Sequence, residues 1–287
     1  MDIGDIVSRK SYNCDIFFKI VDIIQEGEQT KAVLKGLELR ILADAPLDDL
    51  KKVSQQELRE YKKDFIKKSN ECLIRIMYRR KLEMEKRGHQ KEEKNNNNGF
   101  FDKPGRVLHI DGDEEYLEVC LSTYKRLGMD VIGEHIPEKL QPKRVYMFLV
   151  EYSPDILVLT GHDGMLNRSK NFTEISCYRN SRYFVEAVKR ARKYEPSLDE
   201  LVIFAGACQS YYEELLRAGA NFASSPHRVL IHCLDPVFIT EKIAFSPIDN
   251  FVSIQDVIGS TITGIKGIGG FNTRGKLREG LPSSPYE

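Results

Sequence analysis

No stretch of this 287-residue chain is apolar for long enough to span a membrane, no two of its six cysteines stand in Cys-x-x-Cys spacing, and its formal net charge is zero. The first absence predicts no membrane partner. The second excludes a zinc ribbon and the framework of a small secreted disulfide protein. The opening, MDIGDIVSRK, lacks the basic-then-apolar order of a secretory signal, which predicts an intracellular site of synthesis. In a reducing compartment Cys14, Cys72, Cys120, Cys177, Cys208 and Cys233 stay free thiols, available for chemistry.

The neutrality conceals a polarity. Residues 51–94 carry fifteen Lys/Arg against eight Asp/Glu, so the rest of the chain is correspondingly acidic. Acidic residues are interspersed through that basic stretch, which favours a solvated helix face over a nucleic-acid site. Upstream, "DIVSRK", "FFKIVDIIQ", "TKAVLKG" and "LRILADA" are rich in β-branched and aromatic residues between polar breaks. They predict a small SH3-like β-barrel over 1–50. From 54 to 93 a helix is expected, with Leu58, Tyr61, Phe65, Cys72, Ile74, Ile76 and Met77 as its apolar stripe. "KEEKNNNNGFFDKPG" then reads as a linker, which closes a connector at 51–98.

From 99 to 287 apolar strands alternate with amphipathic helices, the pattern of an α/β parallel sheet. "RVLHID", "DVIGEHI", "DILVLTGHDG", "ELVIFAGAC" and "ANFASSP" are its strands; "RVLIHCLDPVFITEKIAF" and "SIQDVIGSTI" are expected to be helical. "IKGIGGFNTRG" lacks the Lys-Ser/Thr of a phosphate-binding loop, and no metal-ligand cluster is visible, so no cofactor is expected.

Sites in such sheets form beyond the carboxyl ends of the strands. Two of those ends carry reactive residues: Gly161-His162-Asp163-Gly164 after the third strand and Gly206-Ala207-Cys208 after the fourth. On adjacent strands, about 5 Å apart, a thiol and an imidazole there can meet across a substrate. "SYYEELLRAG" is expected to start a helix just after Cys208, whose N-terminus would favour a thiolate. Amides near Cys208 and Gly164 are candidate oxyanion donors, and His162 the acid or base. His232 and Cys233 are adjacent in sequence and point apart, so they read as structural.

An apolar block ending in His, then one ending in Ala-Cys, resembles the caspase-like cysteine peptidases. That resemblance implies a sheet of order 2-1-3-4 and a caspase-like domain over 99–287, although His162-Asp163-Gly164 stands where those enzymes have His-Gly. A wider resemblance rests on "MDIGDIVSRKSYNCDIFFKI", "LTGHDG", "GACQSYYEELLRAGANFASSP" and "IHCLDPV", which are similar to the YabG family of sporulation peptidases. It implies a cysteine endopeptidase with His162 and Cys208 catalytic, made in the mother cell and associated with the spore coat. Its partners would be coat and cortex-germination proteins.

The family resemblance further implies cleavage after Arg, for which a carboxylate must line the pocket. Asp163, Asp111, Asp113 and Asp235 are the candidates, with Ser224 and Ser225 beside them as substrate contacts. Self-cleavage at Arg79, Arg80 or Arg87 would follow. Two other readings stay open. One is a receiver-like signalling module, for which Thr160 stands where an acceptor Asp is needed; the other is a coat scaffold without catalysis.

Overall fold

The structure is a computed structural model and describes residues 1–27, 29–93, 99–166 and 172–282. Strands β1 (Ile6–Arg9), β2 (Phe17–Glu26), β3 (Gln29–Gly36), β4 (Leu42–Pro46) and β5 (Leu50–Lys52) form one antiparallel sheet of order β4-β3-β2-β1-β5. Alternation puts Val7, Phe18, Ile20, Ala32, Leu34, Ala45 and Leu50 into its core. The four expected strands are present. Among the described residues no ladder joins the edge strands β4 and β5, so hydrogen bonding does not close the sheet into the expected barrel.

Helix α1 (Gln55–Glu93) starts at a capping box. Ser54 Oγ accepts from the Glu57 amide at 3.2 Å, and the Glu57 carboxylate accepts from the Ser54 amide at 2.7 Å. Among the described residues of this helix only Ser69, Cys72, Leu73 and Ile76 are buried; Ile74 and Met77, expected inside, face solvent. The basic excess is used in part for docking. Arg79 and Arg80 both pair with Glu241, which is fully buried, and Arg87 pairs with Asp102. The expected nicking at these arginines has no extended backbone to act on, because all three lie in helix. Residues 94–98, with the Asn tract, lie outside the described residues.

After β6 (Phe101–Lys103) come β7 (Val107–Asp111), α2 (Glu114–Arg126), β8 (Val131–His135), α3 (Gln141–Tyr152), β9 (Ile156–Thr160), α4 (Ser181–Tyr194), β10 (Val202–Ala205), α5 (Tyr212–Arg217), β11 (Phe222–Ser224), α6 (Asp235–Ala244), β12 (Phe251–Val252), α7 (Ile254–Gly259), β13 (Ile268–Gly270), β14 (Thr273–Arg274) and β15 (Arg278–Gly280). The main sheet runs β13-β11-β10-β9-β7-β8, parallel except for β13. Its first four strands therefore stand in order 2-1-3-4, an order that flavodoxin-like sheets share. The pleat sorts the strand residues: Val107, Ile156, Val158, Val202 and Phe204 join α1, α2 and α6 in one core, and Leu108, Ile110, Leu157, Leu159 and Ile203 join α3 and α4 in the other. This is a three-layer α/β arrangement. The helix expected from 228 begins only at Asp235, since residues 228–234 run as irregular chain beside the end of β10.

The deepest tie between the N-terminal sheet and the α/β layers is one side chain from the β3–β4 connection. Arg40 is fully buried and its guanidinium donates to Asp111 Oδ2 at 2.7 Å and to the Cys233 carbonyl at 3.1 Å. Burial alone would raise the Asp111 carboxyl, but Arg40 and His109 outweigh it and hold it below its ordinary value. A carboxylate held low stabilises the fold fully above the unfolded value near pH 4 and loses that contribution as pH falls through the folded value. Removing the cation strands a buried anion, so Arg40→Met should cost about 3–5 kcal/mol in urea unfolding. Adding Asp111→Leu should recover much of the loss. Equal stabilities for Arg40→Met and wild type would show the pair to be idle.

Candidate active site

Strands β9 and β10 pair in parallel from Ile156 with Val202 to Leu159 with Ala205. His162 and Cys208 each follow three residues after that last pair, so their backbones leave the same edge on neighbouring strands. The turn after β10 needs glycine. Gly206 has φ +109°, and a Cβ there would collide with Ser224 Oγ and Leu215.

His162 is buried and held on three sides. Its amide donates to Glu138 Oε1 at 2.7 Å, its carbonyl accepts from Asn180 Nδ2 at 2.8 Å, and its Nε2 lies 2.7 Å from Asp113 Oδ2. Asp113 does two jobs at once. Its Oδ1 caps α2 by accepting from the Tyr116 amide at 2.9 Å, while Oδ2 serves His162 and the Lys35 ammonium at 2.6 Å. Burial would raise the Asp113 carboxyl, but His162 and Lys35 hold it well below the carboxylate range. An ionised Asp113 fixes the proton on Nε2 and leaves Nδ1 as the free ring nitrogen. Nδ1 is buried and has no hydrogen-bond partner among the described residues. The sequence marks Asp113 as a turn residue; its pairing with His162 is a long-range contact that spacing does not show.

Cys208 is fully buried. Its Sγ accepts from the Ile231 amide at 3.2 Å and its thiol donates to the Ile231 carbonyl at 3.6 Å. Burial pushes the thiol up to about 12, so it is protonated at neutral pH. No hydrogen bond joins Cys208 to His162 among the described residues. The helix N-terminus expected to favour a thiolate starts only at Tyr212, with the short α5. The Cys208 amide is not an oxyanion donor in this conformation either, since it donates to the Arg40 carbonyl at 3.2 Å.

The other expected site residues are engaged internally. Asp163 is buried and accepts from the amides of Gly164 and Asn180 and from the hydroxyls of Ser181 and Ser210. Four donors fill its four lone-pair positions, leaving none for a substrate guanidinium. That also commits the Gly164 amide, which removes it as an oxyanion donor. Ser224 Oγ donates to the Ala207 carbonyl and Ser225 Oγ to the Val229 carbonyl, so both brace the Cys208 loop. Asp235 accepts from Ile262 and Thr263 at the start of α6, and burial raises it to about 6. Asp111 faces Arg40.

The structure also gathers His109, Asp111 and Cys120, whose ligand atoms lie within 4.8 Å of one another. The Arg40 guanidinium sits among them, 2.7 Å from Asp111 and 3.4 Å from Cys120. A cation already satisfies this carboxylate, so the trio does not fit a metal ion. His232 stacks on Phe65 and is pushed down to about 3 by burial. It is a packed histidine, as its sequence setting suggests.

The comparisons with known proteins decide the family. The profile of the family "YabG peptidase U57" matches residues 2–282. The chain belongs to this family. It is 45% identical over 284 residues to the sporulation-specific protease YabG of Bacillus subtilis (strain 168), covering 98% of this chain and 97% of that protein. A solved LuxR-family two-component response regulator from Aurantimonas sp. SI85-9A1 is 18% identical and covers 41% of this chain and 71% of its own, at a TM-score of 0.25 that carries no argument. Membership makes this chain a sporulation peptidase.

A peptidase of the YabG family needs a groove for a polypeptide, and one lies beside these strand ends. It encloses about 570 Å³ between the N-terminal sheet and the loops, with Gly164, Met165, Gln209, Leu230, Ile41 and Leu42 on its walls. Gln209 is the neighbour of Cys208, and Ile41 the neighbour of Arg40. Two carboxylates line the groove. Asp44 pairs with Arg179 at 3.1 Å, whereas the exposed Asp15 carboxylate has no partner among the described residues. In the resting protein, iodoacetamide should label the partly exposed Cys14 and Cys177 before Cys208, read by peptide mapping. Fast labelling of Cys208 would mean that the thiol leaves Ile231 unaided.

Proposed function

We propose that this YabG-family chain is a cysteine endopeptidase in which Cys208 is the nucleophile and His162 the acid–base. The observation that carries the reading is the Asp113–His162 pair, whose free Nδ1 sits at the end of β9 beside the end of β10 that bears Cys208. Asp113 holds Nε2–H, so Nδ1 takes the thiol proton as sulfur attacks the scissile carbonyl. The same proton then passes to the leaving amine as the C–N bond breaks. Water, losing its proton to Nδ1, hydrolyses the thioester and restores the thiol. Sulfur has to turn away from Ile231 for this, so the conformation described is a resting one, opened by substrate in the groove. The 2-1-3-4 strand order is compatible with a caspase-like ancestry for residues 99–287.

Cleavage after Arg is part of the same proposal. The carboxylates expected for it are engaged internally, and Asp15 is the free one in the groove, so we assign the guanidinium to Asp15. The substrates are proteins of the spore coat and germination machinery, acted on from the mother cell and the coat. The relative's designation as sporulation-specific supports this setting. A receiver reading finds no support at Thr160, whose hydroxyl donates to the Gly206 carbonyl at 3.0 Å.

Incubation with spore-coat extract and mapping of new termini tests the proposal. Cys208→Ala should abolish the new termini, and His162→Ala should lower turnover by about 10²–10⁴. Unchanged cleavage by Cys208→Ala would end the cysteine mechanism, and no cleavage by wild type would favour a scaffold. Asp15→Asn should lower kcat/KM on Arg peptides by roughly 10- to 100-fold through KM, the worth of one charge-assisted hydrogen bond. Cuts only after acidic or apolar residues would overturn the Arg assignment and leave the dyad standing.

A further inference from the structure

The N-terminal sheet meets the candidate catalytic pair directly. Lys35, on β3, places its ammonium 2.6 Å from the Asp113 Oδ2 that also holds His162 Nε2 at 2.7 Å. The ammonium is mostly buried and makes a second contact, 2.8 Å to Glu115 Oε2. Docking alone does not require this arrangement, since Arg40 already joins the two parts and the exposed Glu115 accepts both Lys35 and Lys19. What the shared oxygen adds is coupling. Two cationic nitrogens on one carboxylate oxygen are held within a few ångström, so the charge on one opposes the charging of the other.

We propose that Lys35 is a positioning residue for the peptidase reaction, which shares Asp113 with His162 and thereby sets the pH at which the imidazole passes from base to acid. The inference rests on the acid–base role proposed for His162. The charged and titratable groups around the pair are few. Asp113, Glu115 and Tyr116 face it from α2, Lys35 from β3 and Lys19, through Glu115, from β2. Glu138 holds the His162 amide, and Asp111, tied to Arg40, accepts from the Asp113 amide. Lys35 is the cation that touches the shared oxygen. Burial would lower its ammonium, but Asp113 and Glu115 outweigh it and keep Lys35 charged over the working range.

The test compares wild type with Lys35→Met, Lys35→Arg and Glu115→Gln by the pH dependence of kcat/KM on an Arg-containing peptide. Without the lysine, Asp113 favours the imidazolium undiluted, so more alkaline solution is needed to free the base. The acid limb should move up by about one pH unit in Lys35→Met. Loss should fall on kcat at low pH with KM unchanged, and Lys35→Arg should restore the limb. Glu115→Gln leaves Lys35 less neutralised and should move the limb down by a few tenths; this exposed site keeps the test open if Lys35→Met does not fold.

The histidine ring resonances of the Cys208→Ala protein, assigned by loss in His162→Gln, should show the same shifts without any turnover. An unmoved His162 titration in folded Lys35→Met, or no downward shift in Glu115→Gln, overturns the role of Lys35. Full activity in His162→Gln would instead sink the acid–base reading, and the resonance shifts would still decide whether Lys35 and His162 are coupled.

Discussion

The buried pair between Arg40 and Asp111 is the constraint on which the rest of this molecule hangs. A guanidinium with no exposed surface is tolerable only where its charge and its donors are met, and Asp111, the Cys233 carbonyl and the Cys120 sulfur meet them. That requirement fixes the β3–β4 connection over the carboxyl edge of the main sheet. The Arg40 carbonyl then receives the amides of both Asp163 and Cys208, and Leu42 donates to the Asp163 carbonyl. One residue of the N-terminal sheet thus ties together the ends of β7, β9 and β10. The wall of the groove and the contact between Lys35 and Asp113 depend on the same seating.

Much of this architecture is legible in the sequence because it is local. Alternation in "RVLHID" and "DILVLT" marks strands, 3.6-residue periodicity marks α2 and α4, and the positions of β1 to β4 follow β-branched runs. The departures share one cause. Ile74 and Met77 look apolar enough for a core, but among the described residues α1 buries its apolar side chains against the α/β layers at Cys72, Leu73 and Ile76, and nothing in a helical repeat says how wide that buried stripe is. Residues 228–234 carry helix-compatible side chains, yet Ile231 is drawn to Cys208 and Arg228 takes a positive φ, so tertiary contact overrides propensity there.

The candidate site was legible as two strand ends and not as a constellation. His162 lies two residues beyond β9 and Cys208 three beyond β10, and the spacing alone suggests that both leave the same sheet edge. The groups around His162 come from elsewhere: Asp113 from a helix cap, Glu138 from the turn before α3, and, through Asp113, Lys35 from a different sheet. Sequence distance hides all three. The carboxylates nearest the histidine in sequence, by contrast, are the ones the fold consumes. Asp163 is an acceptor for four donors that tie the β9 loop to α4 and the β10 loop, so proximity along the chain was a poor guide to availability.

These commitments also explain why the thiol is closed. If Cys208 is the nucleophile, as proposed, burial keeps it inert until substrate arrives. Desolvation pushes the Cys208 thiol up, and the carboxylates Asp163 and Asp235 add to the cost of a thiolate, which the Ile231 amide and Arg40 offset only in part. His162, which could pair with a thiolate, is turned to Asp113 instead, with Nδ1 unpaired among the described residues. The unpaired, buried nitrogen is the higher-energy half of the arrangement, because it forgoes a hydrogen bond it could make. A thiol swung from Ile231 to Nδ1 would supply that bond. On the proposed mechanism that bond favours the reactive pair, while the Cys208 amide stays tied to the Arg40 carbonyl at 3.2 Å.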